Sequence, residues 1–93
     1  MSARGAGPVL LPSEVGLAVL RAIRADNPAV EVQDRGAYLR VVAPERCVAR
    51  RHAIELALGR PFRLPGDLEQ VMPSFKGTLR LDAEEVVWEA GPP

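Results

Sequence analysis

This chain has little of what enzymatic chemistry draws on. Its 93 residues include one histidine, one cysteine, one tryptophan, one tyrosine and two phenylalanines. A zinc site needs three or four convergent ligands, and His52 with Cys47 does not supply them. His52 reads as a solvated helix position and Cys47 as a small buried hydrophobe. One thiol also excludes an internal disulfide framework and suits a reducing cytoplasm. No apolar run is long enough to span a membrane. Met1–Gly7 has no apolar stretch of the kind a secretory signal requires. The glycines never form a phosphate loop, since no Gly-Lys-Ser/Thr occurs. Net charge is +0 and the pI is near 6.6, whereas nucleic-acid binding usually asks for a basic domain. Phe62, Phe75, Tyr38 and Trp88 are too scattered for a stacking platform.

The remaining catalytic combinations fail on geometry. Ser74, His52 and Asp34 or Asp82 provide the residue types of a nucleophilic triad, but no nucleophile elbow or oxyanion loop accompanies them. Glu84 and Glu85 are adjacent, so on a strand they face opposite ways and form no acid/base pair.

What is present is the composition of one folded domain, 47% hydrophobic and 26% charged. Charge is unevenly spread. Residues 35–63 carry seven arginines against two glutamates, and residues 64–93 carry six acids against Lys76 and Arg80. A basic middle and an acidic end either orient a charged partner or are simply solvated.

The pattern predicts a tail over residues 1–7, a domain over 8–90 and a disordered end over 91–93. Pro8–Pro12 reads as extended. Ser13 is a helix N-cap, with Glu14 in the first turn and Val15, Val19, Ala22 and Ile23 at helical spacing. Asn27 precedes Pro28 and ends the helix. Ala29–Gln33 and Tyr38–Val42 alternate as the strands of a hairpin across Asp34-Arg35-Gly36-Ala37. A brief strand is expected at Arg46-Cys47-Val48 and a second helix over Ala49–Leu58. That helix has a weak start and Gly59 as its left-handed terminator. Leu68, Val71 and Met72 fit one helical turn. Thr78–Leu81 and Val86–Ala90 read as strands, and Trp88 and Phe62 as core. The order β-α-β-β-(β)-α-β-β describes an α+β single-domain sandwich with a mainly antiparallel sheet.

Two places suggest binding. Tyr38 and Arg40 share the strand face opposite Leu39 and Val41, and an exposed aromatic beside an arginine is a favourable protein anchor. Ser74-Phe75-Lys76-Gly77 follows Pro73 and reads as a turn, from which Phe75 either folds back into the core or projects toward a partner.

Several blocks resemble one family. Gly7-Pro8-Val9, Asp26-Asn27-Pro28, Leu58-Gly59-Arg60-Pro61-Phe62 and Ser74-Phe75-Lys76-Gly77 occur in an order similar to that of the effector (coupling or regulatory) proteins of soluble diiron monooxygenases. The toluene and alkene branch of the methane and phenol monooxygenase regulatory family is the nearest in pattern. Ala49, where relatives start a helix with Thr, and Pro73, where they have a small residue, depart from it. The resemblance implies a cytoplasmic, non-catalytic protein with no metal or organic cofactor, a monomer when free. It implies binding to the catalytic subunit of a diiron hydroxylase, in a system with a Rieske-type ferredoxin and an NADH reductase, and no nucleic-acid or membrane partner. With Tyr38 and Arg40 from the strand face, the expected contact residues are Tyr38, Arg40, Arg60, Met72, Ser74, Phe75, Lys76 and Gly77. The alternative is an unrelated α+β interaction module without catalytic activity.

Overall fold

Ser13 opens the first helix as its position predicts. In the computed structural model, which describes residues 4–91, its hydroxyl accepts the Gly16 N–H at 3.0 Å and starts α1 (Glu14–Asp26). One side of α1 buries Ala18, Val19, Ala22 and Ile23, close to the expected apolar stripe. Before it runs strand β1 (Gly5–Leu10) and after it the hairpin β2 (Glu31–Asp34) and β3 (Leu39–Pro44). An Asx turn, Gly36 N–H to Asp34 Oδ1 at 2.8 Å, closes that hairpin where the sequence predicts.

The chain continues through β4 (Arg46–Arg50), α2 (Arg51–Leu58), the single turn α3 (Gly66–Glu69), β5 (Ser74–Lys76), β6 (Thr78–Leu81) and β7 (Glu85–Glu89). All strand pairings are antiparallel, and they form two sheets, β2-β3-β1-β5 and β4-β7-β6. The α+β class holds, with two sheets where one was expected. No helix among the described residues is long and apolar enough to cross a membrane.

Period-two alternation assigns the faces. Leu39, Val41 and Ala43 of β3 point inward with Ala6 and Leu10 of β1. They meet Cys47, Ala49, Val86 and Trp88 of the second sheet and Val19, Ala22 and Ile23 of α1 in one core, joined by Ile54 and Phe62. Trp88 is fully buried, and its Nε1 has no hydrogen-bond partner among the described residues. Burial pushes the Cys47 thiol up to about 12.

Three boundaries differ from the sequence reading. Residues 5–7, assigned to a tail, belong to β1, because β3 on one side and β5 on the other supply partners for a segment of low intrinsic strand propensity. Residues 1–3 of that tail, and 92–93 of the expected disordered end, lie outside the described residues. Ala49 belongs to β4 and not to α2: it pairs with Val86 and is fully buried. Ser74–Lys76 is not a turn lifted clear of the fold but a short edge strand on β1.

The expected weakness at the start of α2 is real, since Arg50 makes no side-chain cap. The β6–β7 connection substitutes for it. The Arg51 N–H donates to the Glu84 carbonyl at 2.8 Å, and the Arg51 guanidinium reaches Glu84 and Glu55. Glu55 also accepts the Phe62 N–H at 2.9 Å. That amide first, and Arg51 after it, hold the Glu55 carboxyl below its ordinary range. The helix ends at Gly59 with φ 81°, the left-handed terminator its position predicts.

A further device was not legible in advance. Asn27, only 9% exposed, does more than end α1. Its Nδ2 donates to the Val48 carbonyl at 2.8 Å and to Ile23 O at 2.7 Å, and its Oδ1 accepts the Val48 N–H at 3.1 Å. One side-chain amide thus occupies the edge of β4 as a neighbouring strand would.

Candidate functional site

The outer face of the four-stranded sheet carries a concavity of about 530 Å³. Its origin is in β1. The β1–β3 register runs Gly5↔Pro44, Ala6↔Ala43, then Val9↔Arg40 and Leu10↔Leu39, and the ladder lapses at Gly7 and Pro8. Pro8 has no N–H to give, and Gly7 has φ 155°, reserved for glycine. A Cβ at Gly7 would collide with the Val41 carbonyl oxygen. The floor there is bare backbone, with Val9 and the half-buried Val42 beside it.

The walls come from two distant parts of the chain. Tyr38 and Arg40 rise at the β3 side, and Ser74, Phe75 and Lys76 at the β5 side. Leu11 and Pro73 complete the rim. Tyr38 and Phe75 are 40% and 42% exposed, unusual for aromatic side chains in so small a core-forming set. Val9 pairs with Arg40 on one flank and with Ser74 on the other, while Gly7 pairs with Lys76. Cross-strand partners share a face, so Arg40, Ser74 and Lys76 point the same way. Phe75 is in register with Pro8, one step along, and closes the edge.

Five of the eight residues singled out in the sequence therefore meet here: Tyr38, Arg40, Ser74, Phe75 and Lys76. Phe75 is 42% exposed and is not part of the buried core. The other three lie outside the concavity. Arg60 sits beyond α2, paired with Glu14 at 3.1 Å. Met72 is partly buried against the core. Gly77 has φ 102°, and a Cβ there would lie 2.5 Å from the Glu89 carbonyl, so its part is in the backbone path from β5 to β6. Gly7, Pro8, Val9 and Leu11 were not anticipated as lining. The nearest signal was the Gly-Ala-Gly-Pro run, which reads as a tail until β5 is known to pair with it.

Among the described residues no three His, Cys, Asp or Glu side chains gather as metal ligands. What the concavity presents is a floor of main chain beside Val9 and Val42, two aromatic side chains and two cations. That is equipment for a protein surface, and it holds no acid, base or nucleophile in a convergent set.

Comparison with known proteins agrees along nearly the whole chain. Residues 4–89 match the model of the MmoB/DmpM family. The effector subunit of the alkene monooxygenase system of Xanthobacter autotrophicus strain Py2 is 40% identical over 84 residues, spanning 88% of this chain and 82% of that protein. A chain of a phenol hydroxylase-regulatory protein complex is similar in structure, with a TM-score of 0.78 at 26% identity, covering 91% of this chain and 98% of that one. Regulatory protein B of soluble methane monooxygenase shares the fold, with a TM-score of 0.72 at 21% identity, covering 98% of this chain and 68% of that one. These matches set aside the alternative of an unrelated interaction module.

Proposed function

The chain belongs to the MmoB/DmpM family and is a regulatory component, not a catalytic one; from that premise we propose that it docks on the diiron hydroxylase of a multicomponent hydrocarbon monooxygenase through the outer face of its four-stranded sheet. One observation carries the choice of face: the concavity gathers Tyr38, Arg40, Ser74, Phe75 and Lys76 from separate strands around a floor of bare backbone. The relative described as an alkene monooxygenase effector subunit, and the regulatory-protein complexes with phenol hydroxylase, support the partner class.

The mechanism follows from having no reactive group to contribute. Such a protein acts only as a ligand that binds one hydroxylase conformation more tightly than another. A differential contact energy of about 1–3 kcal/mol shifts that equilibrium roughly 5- to 150-fold. Tyr38 and Phe75, with large rigid surfaces and few rotatable bonds, are the side chains best suited to supply it. The consequence is a change in how substrate and oxygen reach the diiron centre, and so in coupling and regioselectivity. A Rieske-type ferredoxin and an NADH reductase complete the system, and the site of action is the cytoplasm. Met72 and Gly77 support the docking face indirectly, through the core and backbone beneath it, while Arg60, paired with Glu14 beyond α2, lies away from it.

The test is steady-state turnover of the cognate hydroxylase with its ferredoxin and reductase. Adding this protein raises product formed per NADH consumed, and the protein alone forms none. Replacing Tyr38 and Phe75 by Ala removes most of the gain while the melting temperature holds. Fully coupled turnover without the protein defeats the reading.

A further inference from the structure

The uneven charge of the sequence resolves in the fold into pairs and a remainder. Arg46 meets Glu89, Arg50 meets Asp26, Arg51 meets Glu55 and Glu84, Arg60 meets Glu14, and Arg80 meets Glu89. Two of these pairs, Arg46–Glu89 and Arg51–Glu84, join the basic middle to the acidic end. Six cations make no ion pair among the described residues: Arg21, Arg24, Arg35, Arg40, Arg63 and Lys76, the chain's single lysine. Of these, only Arg40 and Lys76 line the concavity.

Their placement is specific. Arg40 is on β3 opposite Val9, and Lys76 is on β5 opposite Gly7, so β1 runs between them. Two strand spacings and an offset of two residues put their backbones roughly 10–12 Å apart, about the diameter of one α-helix. A Cβ on Gly5 would lie 3.9 Å from Lys76 Nζ, so the lysine stem lies along the bare backbone of β1 with its ammonium at the rim. Glu31, on the same outer face opposite Val42, lies outside the lining and pairs with neither cation.

We propose that Arg40 and Lys76 are the specificity-determining charges of this surface, and that its occupant is an apolar helical segment of the hydroxylase carrying carboxylates on both flanks. The proposal rests on the effector reading above and adds the chemistry of the partner. Apolar residues of that segment lie over Val9 and against Tyr38 and Phe75, while its acids reach the two cations. Because both cations are exposed, they act mainly on encounter rate and orientation, and their attraction is screened as salt rises. A protein of zero net charge has no monopole to steer it, so steering falls to local groups such as this pair.

The experiment measures the concentration of this protein giving half-maximal activation of its cognate hydroxylase, at low and at high ionic strength. Arg40→Glu, Lys76→Glu, the double variant and Arg21→Glu are compared. Arg21 is exposed on α1, outside the lining, and its reversal changes net charge by the same amount as either single variant. The expected result at low salt is a half-saturating concentration raised on the order of tenfold in the double variant. Arg21→Glu stays near the unaltered chain. The unaltered chain loses affinity as salt rises, and the double variant loses little or gains. Maximal activation at saturation is retained, which shows that the variants fold and that recognition alone has changed. If the unaltered chain activates but the double variant is equally potent and equally salt-dependent, the acid-recognition proposal is overturned and the effector reading survives. If the unaltered chain does not activate at all, both fall.

Discussion

Replacing Asn27 by Ala removes three hydrogen bonds from a site almost closed to water. The Ile23 carbonyl is the least affected, because the Asn27 backbone N–H still donates to it at 2.9 Å. Val48 loses both partners on the outward edge of β4. An orphaned buried N–H costs about 1–3 kcal/mol, and the abandoned carbonyl adds about 1. The sum, about 2–4 kcal/mol, is a large share of the stability of a domain this size. At roughly 4–8 °C per kcal/mol it lowers the melting temperature by about 8–32 °C. Far-UV circular dichroism follows the melt, and hydrogen exchange at the Val48 amide reports the site itself. Asn27→Asp sharpens the test through pH. An aspartate keeps the acceptor for the Val48 N–H but turns its second oxygen toward two carbonyls. Burial, with two carbonyl oxygens facing the second oxygen, raises its carboxyl above the ordinary value near 3.9. The folded state then holds a proton that the unfolded state has released, so stability falls as pH rises from about 4 toward 7. An Asn27→Ala protein melting within about 3 °C of the unaltered chain, with Val48 still protected, refutes the account.

Two other predictions concern stability. Gly59 and Gly77 both have positive φ, but only Gly77 is crowded, so Gly59→Val costs about 1–2 kcal/mol through backbone strain and Gly77→Ala costs more, with displacement of β7 visible by NMR. Cys47 holds its proton to about 12 when folded against 9.0 for an ordinary thiol, so stability declines through that window as pH rises, at about 1.4 kcal/mol per pH unit at most. A Cys47→Ala variant lacks that slope in alkaline denaturation, and an identical slope in both proteins counts against the assignment.

Local chemistry made much of this fold readable. The Ser13 cap, the Asn27-Pro28 stop, the Asp34–Ala37 turn and the Gly59 terminator each act within a few residues, and each lies where the sequence places it. The inward Leu39 and Val41 and the outward Tyr38 and Arg40 follow from alternation alone. What could not be read depends on partners far along the chain. Gly5–Gly7 has no strand propensity to announce β1, and Pro73 with Gly77 makes β5 look like a turn, until each provides the other's ladder. The same distance hides half of the concavity's lining. Arg60 lies within the Leu58–Phe62 family block, but its guanidinium is paired with Glu14, on a side of the molecule that periodicity does not identify.

The bare floor at Gly7 limits how this surface can be altered. Most binding sites are adjusted by exchanging the residue at their base for a larger or smaller one. Here that route is closed, because any side chain at Gly7 meets the Val41 carbonyl and pushes β1 and β3 apart. Depth is set by main chain, so if this is the docking face proposed above, retuning it toward a different hydroxylase has to proceed through the walls. An engineer seeking new pairings should leave β1 unchanged and diversify positions 38, 40, 75 and 76. Randomising Gly7 would yield unfolded protein more often than new specificity.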